Sequence, residues 1–159
     1  MAALADPSGD ATSLLASIAV AVEGSMDGTS GALYSIYLNA LVQHFSQHET
    51  RTLSSMELSD WARAMNFAMD TLSIYTPARI GDRTVIDALV PFINALDAGQ
   101  DCGQAARAAM EGAEATKAMA ASLGRAVYVG MEDEWKGKIP DPGAWGLAKF
   151  FEGLCQPAS

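Results

Sequence analysis

SSMELSDWARAMNFAMDTLSIY, residues 54–75, is the most strongly patterned stretch of the chain. Trp61, Met65, Ala68, Leu72 and Tyr75 recur at three- and four-residue intervals, which puts them on one stripe of an α-helix. Ser54-Ser55-Met56-Glu57 has the S-x-x-E form of a capping box, so the helix is expected to open there. Thr76-Pro77-Ala78-Arg79-Ile80-Gly81 breaks it.

The same period runs outward in both directions. Upstream, one helix is expected from about Thr12 to Glu23. A second follows the turn Gly28-Thr29-Ser30-Gly31 and carries Leu33, Tyr37, Ala40, Leu41 and His44. Downstream, Asp82 or Thr84 is placed to cap a helix striped by Ile86, Leu89, Val90, Ile93 and Leu96, with Pro91 expected to kink it. An Ala-rich helix over 103–121, weakened by Gly112, leads into an irregular stretch, Leu123 to Pro140. Within it, Ala126 to Val129 is the one strand-like run. Asp141-Pro142 opens the last helix, with Asp at the N-cap and Pro at the first helical position. The chain holds 29 alanines, and Ala is the best helix former. The expectation is all-α: an antiparallel amphipathic barrel or bundle of about six helices, in one domain over 1–159.

Composition narrows the function. Ten Lys plus Arg stand against nineteen Asp plus Glu, a formal charge of −9. Phosphate backbones and anionic membranes are bound through clustered cations, so neither nucleic acid nor a membrane is expected as partner. The longest apolar run, Leu14 to Val22, is far short of the roughly 20 residues a spanning helix needs. Asp6 and Asp10 occupy the place where a secretory signal would carry positive charge, which favours a cytoplasmic chain. Cys102 and Cys155 lie far apart without a CxxC or His pattern. Reduced thiols are therefore expected, rather than a disulfide scaffold or a zinc site.

Three segments carry more than helix surface. Ser25 to Tyr34 (SMDGTSGALY) sets small residues before a helix, where backbone N–H groups and the helix dipole can receive an anion. Gly81-Asp82-Arg83-Thr84 opens another helix. The third pairs Gly124-Arg125-Ala126-Val127-Tyr128-Val129-Gly130 with Asp141-Pro142-Gly143-Ala144, and Arg125 there is a charge-assisted donor for phosphate or carboxylate. All lie at helix ends and are expected on one rim. Each also has a plain structural reading as a turn or a cap. His44 and His48 share a helix face, but without a third ligand they read as surface residues. Trp61, Trp135 and Trp145 read as packing.

Taken together, GTSGALYSIYLNAL, GDRTVIDALVP, the Gly124–Gly130 block and DPGAWGLA resemble the L domain, the nucleotide-binding domain, of dihydroxyacetone kinases, in order and spacing from about residue 11 to 155. That resemblance implies a barrel of amphipathic helices with Mg-ATP at one rim. It also implies transfer of the γ-phosphate to dihydroxyacetone held on a separate K domain. Residue by residue, it places Thr29 and Ser30 in the phosphate loop and Val85 against the base. It makes Arg125 the rim arginine on the nucleotide, and Asp141, Pro142 and Gly143 the loop closing the site.

The sequence departs from that family at telling points. The acidic G-D-x-D-x-G-like loop whose aspartates hold two Mg²⁺ ions has no counterpart upstream of GTSG. Asp27 stands where a second Gly is usual, and a carboxylate 4 Å from bound phosphate is repulsive by roughly 1–4 kcal/mol. Val127 and Val85 replace a small Ser and a Met. Weak or absent Mg-ATP binding is therefore expected, with no bound cofactor or metal. The resulting expectation is a degenerate relative, a free-standing binder or metal-free acid–base catalyst of a small apolar molecule. In that role Asp27 moves the proton, and Arg125, Asp82 and Asp141 orient the substrate. The alternative is the phosphotransferase domain of an ATP-dependent dihydroxyacetone kinase, or a partner of its K domain.

Overall fold

The computed structural model describes residues 9–47, 52–123 and 137–156. Among them every regular element is helical. Six α-helices, α1 (Ala11–Ser25), α2 (Gly28–Ser46), α3 (Leu58–Tyr75), α4 (Ile86–Asp97), α5 (Cys102–Ala115) and α6 (Pro142–Leu154), confirm the all-α expectation. The chain falls into two compact units, Met1–Thr76 and Pro77–Ser159.

In the first unit α1 packs on α2 and α2 on α3. Asp10 caps α1 by accepting from Thr12 and Ser13 backbone N–H groups at 3.3 and 3.0 Å. The α3 stripe faces inward as its period requires, with Met65, Ala68 and Leu72 buried, whereas Tyr75 at its end is exposed. The start of α3 differs from expectation. Ser54 and Ser55 sit in a separate 3-10 turn, and Asp60 supplies the cap by accepting from the Glu57 backbone N–H at 3.0 Å. His44 packs on Phe67, centroids 5.3 Å apart, and Phe45 edges onto Trp61 at 5.3 Å, so this histidine serves packing; its expected neighbour His48 lies outside the described residues.

In the second unit α4, α5 and α6 pack pairwise. Phe92 and Phe151 stack at 3.8 Å between α4 and α6, and Ile86, Leu89, Ile93 and Leu96 bury the expected α4 stripe. Pro91 does not interrupt α4. It has no N–H for the Asp87 carbonyl one turn back, and that carbonyl is packed instead against Gly112 of α5. A Cβ at Gly112 would lie 2.0 Å from it. Gly112, read from sequence as a weak point, is thus a fitted one. The Ala-rich helix also ends earlier than expected, at Ala115, followed by a 3-10 turn, Thr116–Ala118. The candidate strand 126–129 lies outside the described residues.

The cysteines overturn the expectation of reduced thiols. Cys102, the first residue of α5, is disulfide-bonded to Cys155 at the end of α6, Cα atoms 5.3 Å apart. The sequence spacing hid this because the two helices run antiparallel. Asp101 and Gln104 cap the start of α5 reciprocally, at 2.8 and 3.0 Å, which fixes Cys102 beside the far end of α6. No described helix is long and apolar enough to cross a membrane.

Candidate functional site

Of the four blocks singled out from sequence, two meet in the second unit. The Gly81–Val85 segment opens α4, and Asp141-Pro142-Gly143 opens α6 beside it. A Cβ on Gly143 would stand 3.8 Å from the Val85 Cβ and 3.1 Å from the Asp141 carboxylate. Val85, Pro142 and Gly143 therefore present a small accessible apolar face between two helix starts.

The Gly81–Val85 turn is built around Asp87, which the sequence reading passed over. Its carboxylate, 1% exposed, accepts from the backbone N–H groups of Gly81 at 2.6 Å and Thr84 at 2.8 Å. Gly81 has φ +99 and Arg83 φ +58, the one described non-glycine residue in the left-handed region. The turn thus folds tightly back over its own carboxylate. Thr84, not Asp82, does the capping, with its hydroxyl accepting from the Ile86 N–H at 3.2 Å. Asp82 points elsewhere, accepting from the Arg79 N–H at 2.7 Å and the Ser122 hydroxyl at 2.6 Å. The Ser122 hydroxyl and the Arg79 N–H hold its carboxyl below the usual range.

The opposite wall hangs on three contacts. Thr116, fully buried, accepts from the Asp141 N–H at 2.7 Å. Gly137 N–H donates to the Lys117 carbonyl at 3.0 Å, and the buried Arg83 guanidinium donates to the Ile139 carbonyl at 2.9 Å. Asp141 then caps α6 as read from sequence, accepting from the Ala144 N–H at 2.8 Å. Burial pushes its carboxyl up, against the lowering effects of the Ala144 N–H and Arg83. A carboxyl raised in the fold stabilises it fully below its unfolded value and loses that contribution as pH rises through the folded value. Asn caps as well as Asp. Asp141→Asn should therefore have a urea midpoint at pH 7 equal to or above the parent's, with the difference shrinking toward pH 4. A midpoint well below the parent's at pH 7 would show that the charge is needed.

The GTSG block lies in the first unit. Gly28 has φ +72, and Thr29 and Ser30 are exposed in the first turn of α2. Gly31 is required by packing, because a Cβ there would lie 2.1 Å from the Met26 carbonyl. Asp27 occupies the N-cap position of α2, yet its side chain makes no capping hydrogen bond and is exposed. A two-residue link, Met26-Asp27, between packed helices leaves its side chain nowhere but outward. Arg125, with the rest of the 124–130 block, lies outside the described residues.

The Mg²⁺ pair implied by the resemblance does not fit these residues. Asp82, Asp87 and Asp141 each already accept from protein donors, and among the described residues no three His, Cys, Asp or Glu side chains group to hold a metal ion.

Comparison with known proteins agrees with the blocks. The DAK2 domain family matches residues 1–156. Dihydroxyacetone kinase 2 of Saccharomyces cerevisiae is 46% identical over 153 residues, covering 94% of this chain and 25% of the yeast protein. Human triokinase/FMN cyclase is 30% identical over 158 residues, covering 94% of this chain and 26% of that protein. The crystal structure of the dihydroxyacetone kinase of C. freundii superposes with a TM-score of 0.67 at 30% identity, covering 91% of this chain and 23% of that one. The chain thus spans about a quarter of the length of these relatives. It belongs to the DAK2 domain family.

Proposed function

We propose that this chain is the nucleotide-holding part of a dihydroxyacetone-kinase-type phosphotransferase. The observation that carries the reading is the face shared by Val85 and Gly143 between the starts of α4 and α6. It is apolar, accessible and rigidly backed by Asp87, which suits the edge of a planar base. Arg125 is the charged donor of this reading. A C. freundii relative, 28% identical with a TM-score of 0.63, was crystallised with AMP-PNP and Mg²⁺, which supports a nucleotide as ligand.

The metal carboxylates are supplied from outside the residues described, and the three-carbon substrate from a K domain partner.

Calorimetry tests the reading directly. ADP and ATP should bind the chain with a Kd of about 0.1–1 mM, altered less than about threefold by Mg²⁺, without phosphorylation of dihydroxyacetone. Micromolar, Mg²⁺-dependent affinity would overturn the claim that the metal ligands lie elsewhere. No nucleotide binding at all would overturn the reading itself.

A further inference from the structure

Arg83 is an unusual residue for its place. Its φ of +58 is a conformation that glycine adopts freely and other residues adopt at a cost. Its side chain is 5% exposed, so a long cation has been folded inward at a helix start. The guanidinium reaches across 56 residues of sequence to the Ile139 carbonyl at 2.9 Å. Two residues further on, the charge of Arg83 lowers the Asp141 carboxyl and that of Asp87 raises it. Gly81 has no side chain, and the Thr84 hydroxyl accepts from the Ile86 N–H. The Gly81 and Thr84 backbone N–H groups are bound to the Asp87 carboxylate.

We infer that Arg83 is a positioning residue for the nucleotide: its guanidinium ties the 139–143 segment to the start of α4 and so sets how Gly143 faces Val85. This inference rests on the nucleotide reading above. Arg83 itself does not touch the ligand; it acts through the backbone it holds. Thr116 fixes the other side of the same segment at the Asp141 N–H, so Ile139 and Asp141 are anchored by different segments, the turn before α4 and the 3-10 turn after α5, and the turn between them has little freedom. With the cation removed, the carbonyl anchor is weakened and the Asp141 carboxyl keeps the raising charge of Asp87 without its counter-charge.

Arg83→Lys and Arg83→Gln separate the roles, since both keep an N–H donor and only Lys keeps the charge. ADP affinity is read by NMR shift titration, and the Asp141 carboxyl by its ¹³C shift against pH. Arg83→Gln should weaken ADP about tenfold, the cost of a lost charge-assisted hydrogen bond. It should also move the Asp141 carboxyl further up. Arg83→Lys should stay within about threefold of the parent, with Asp141 near its parent value. A merely structural Arg83 would change thermal stability, and move Asp141 through its charge, without changing ADP affinity. Parent-like ADP affinity in Arg83→Gln would overturn the inference, as would Arg83→Lys proving as impaired as Arg83→Gln. Should the parent itself fail to bind ADP, the nucleotide reading falls, and this inference with it.

Discussion

Reducing the Cys102–Cys155 disulfide should lower the stability of the second unit by about 4 kcal/mol, the chain-entropy value for a closed loop of this size. The two cysteines are 53 residues apart in sequence, so the unfolded chain gains much freedom when the link opens. The folded state gains little, because Phe92–Phe151 stacking and the Asp141 cap hold α6 independently of the sulfurs. Thermal unfolding followed by circular dichroism should therefore shift down by about 10 °C or more on adding a dithiol reductant. Cys102→Ser, Cys155→Ser and the double variant should all match the reduced parent and no longer respond to reductant. An unchanged midpoint in the presence of reductant would mean that the bond contributes nothing to folding.

The second large effect belongs to Gly112→Ala. On helix propensity alone the change should stabilise α5 by about 1 kcal/mol. The contact decides otherwise. The new methyl would lie 2.0 Å from the Asp87 carbonyl oxygen and 3.0 Å from the Pro91 ring. Both are parts of a helix backbone or a rigid ring, and neither can swing aside as a flexible side chain would. Helices α4 and α5 must separate, at a cost of about 1–3 kcal/mol or more for overpacking. We expect a net loss of about 2 kcal/mol in urea unfolding, the propensity gain subtracted from the upper end of that range. Gly146→Ala in α6, where a Cβ meets nothing within 4 Å, is the control and should be neutral or stabilising. Equal behaviour of the two variants would remove the argument for a fitted α4–α5 contact.

Helix periodicity and turn residues carried most of the fold into view, because they are local. The α3 and α4 stripes, the cap at Asp141 and the break after Tyr75 all depend on residues within a turn of one another. What sequence did not reveal depends on distance. Gly112 looks like a helix weakness until Pro91 is set opposite it, and the cysteines look unrelated until α5 and α6 are seen antiparallel. The site divides in the same way. The family blocks marked Val85, Asp141, Pro142 and Gly143, which do meet. Of the residues that hold them there, Arg83 was marked only as part of the Gly81–Thr84 segment, and Asp87 and Thr116 were missed, since burial of a polar side chain leaves no periodic trace. One signal was available: Asp87 stands three residues after Thr84, the spacing at which a carboxylate reaches back to the N–H of a helix start. Asp27 stands out in the sequence as a departure from a motif, whereas its exposure leaves no trace there.

The link between Cys102 and Cys155 also makes most of the second unit a covalent ring. A protease that cuts anywhere from residue 103 to residue 154 opens that ring without releasing a fragment. The nicked protein then runs as one species on a non-reducing gel and as two on a reducing gel. Intact mass rises by a single water, and the severed pieces stay at an effective concentration set by the bridge rather than by dilution. A single nick in this region therefore leaves the oxidised protein in one piece and lets the reduced protein come apart.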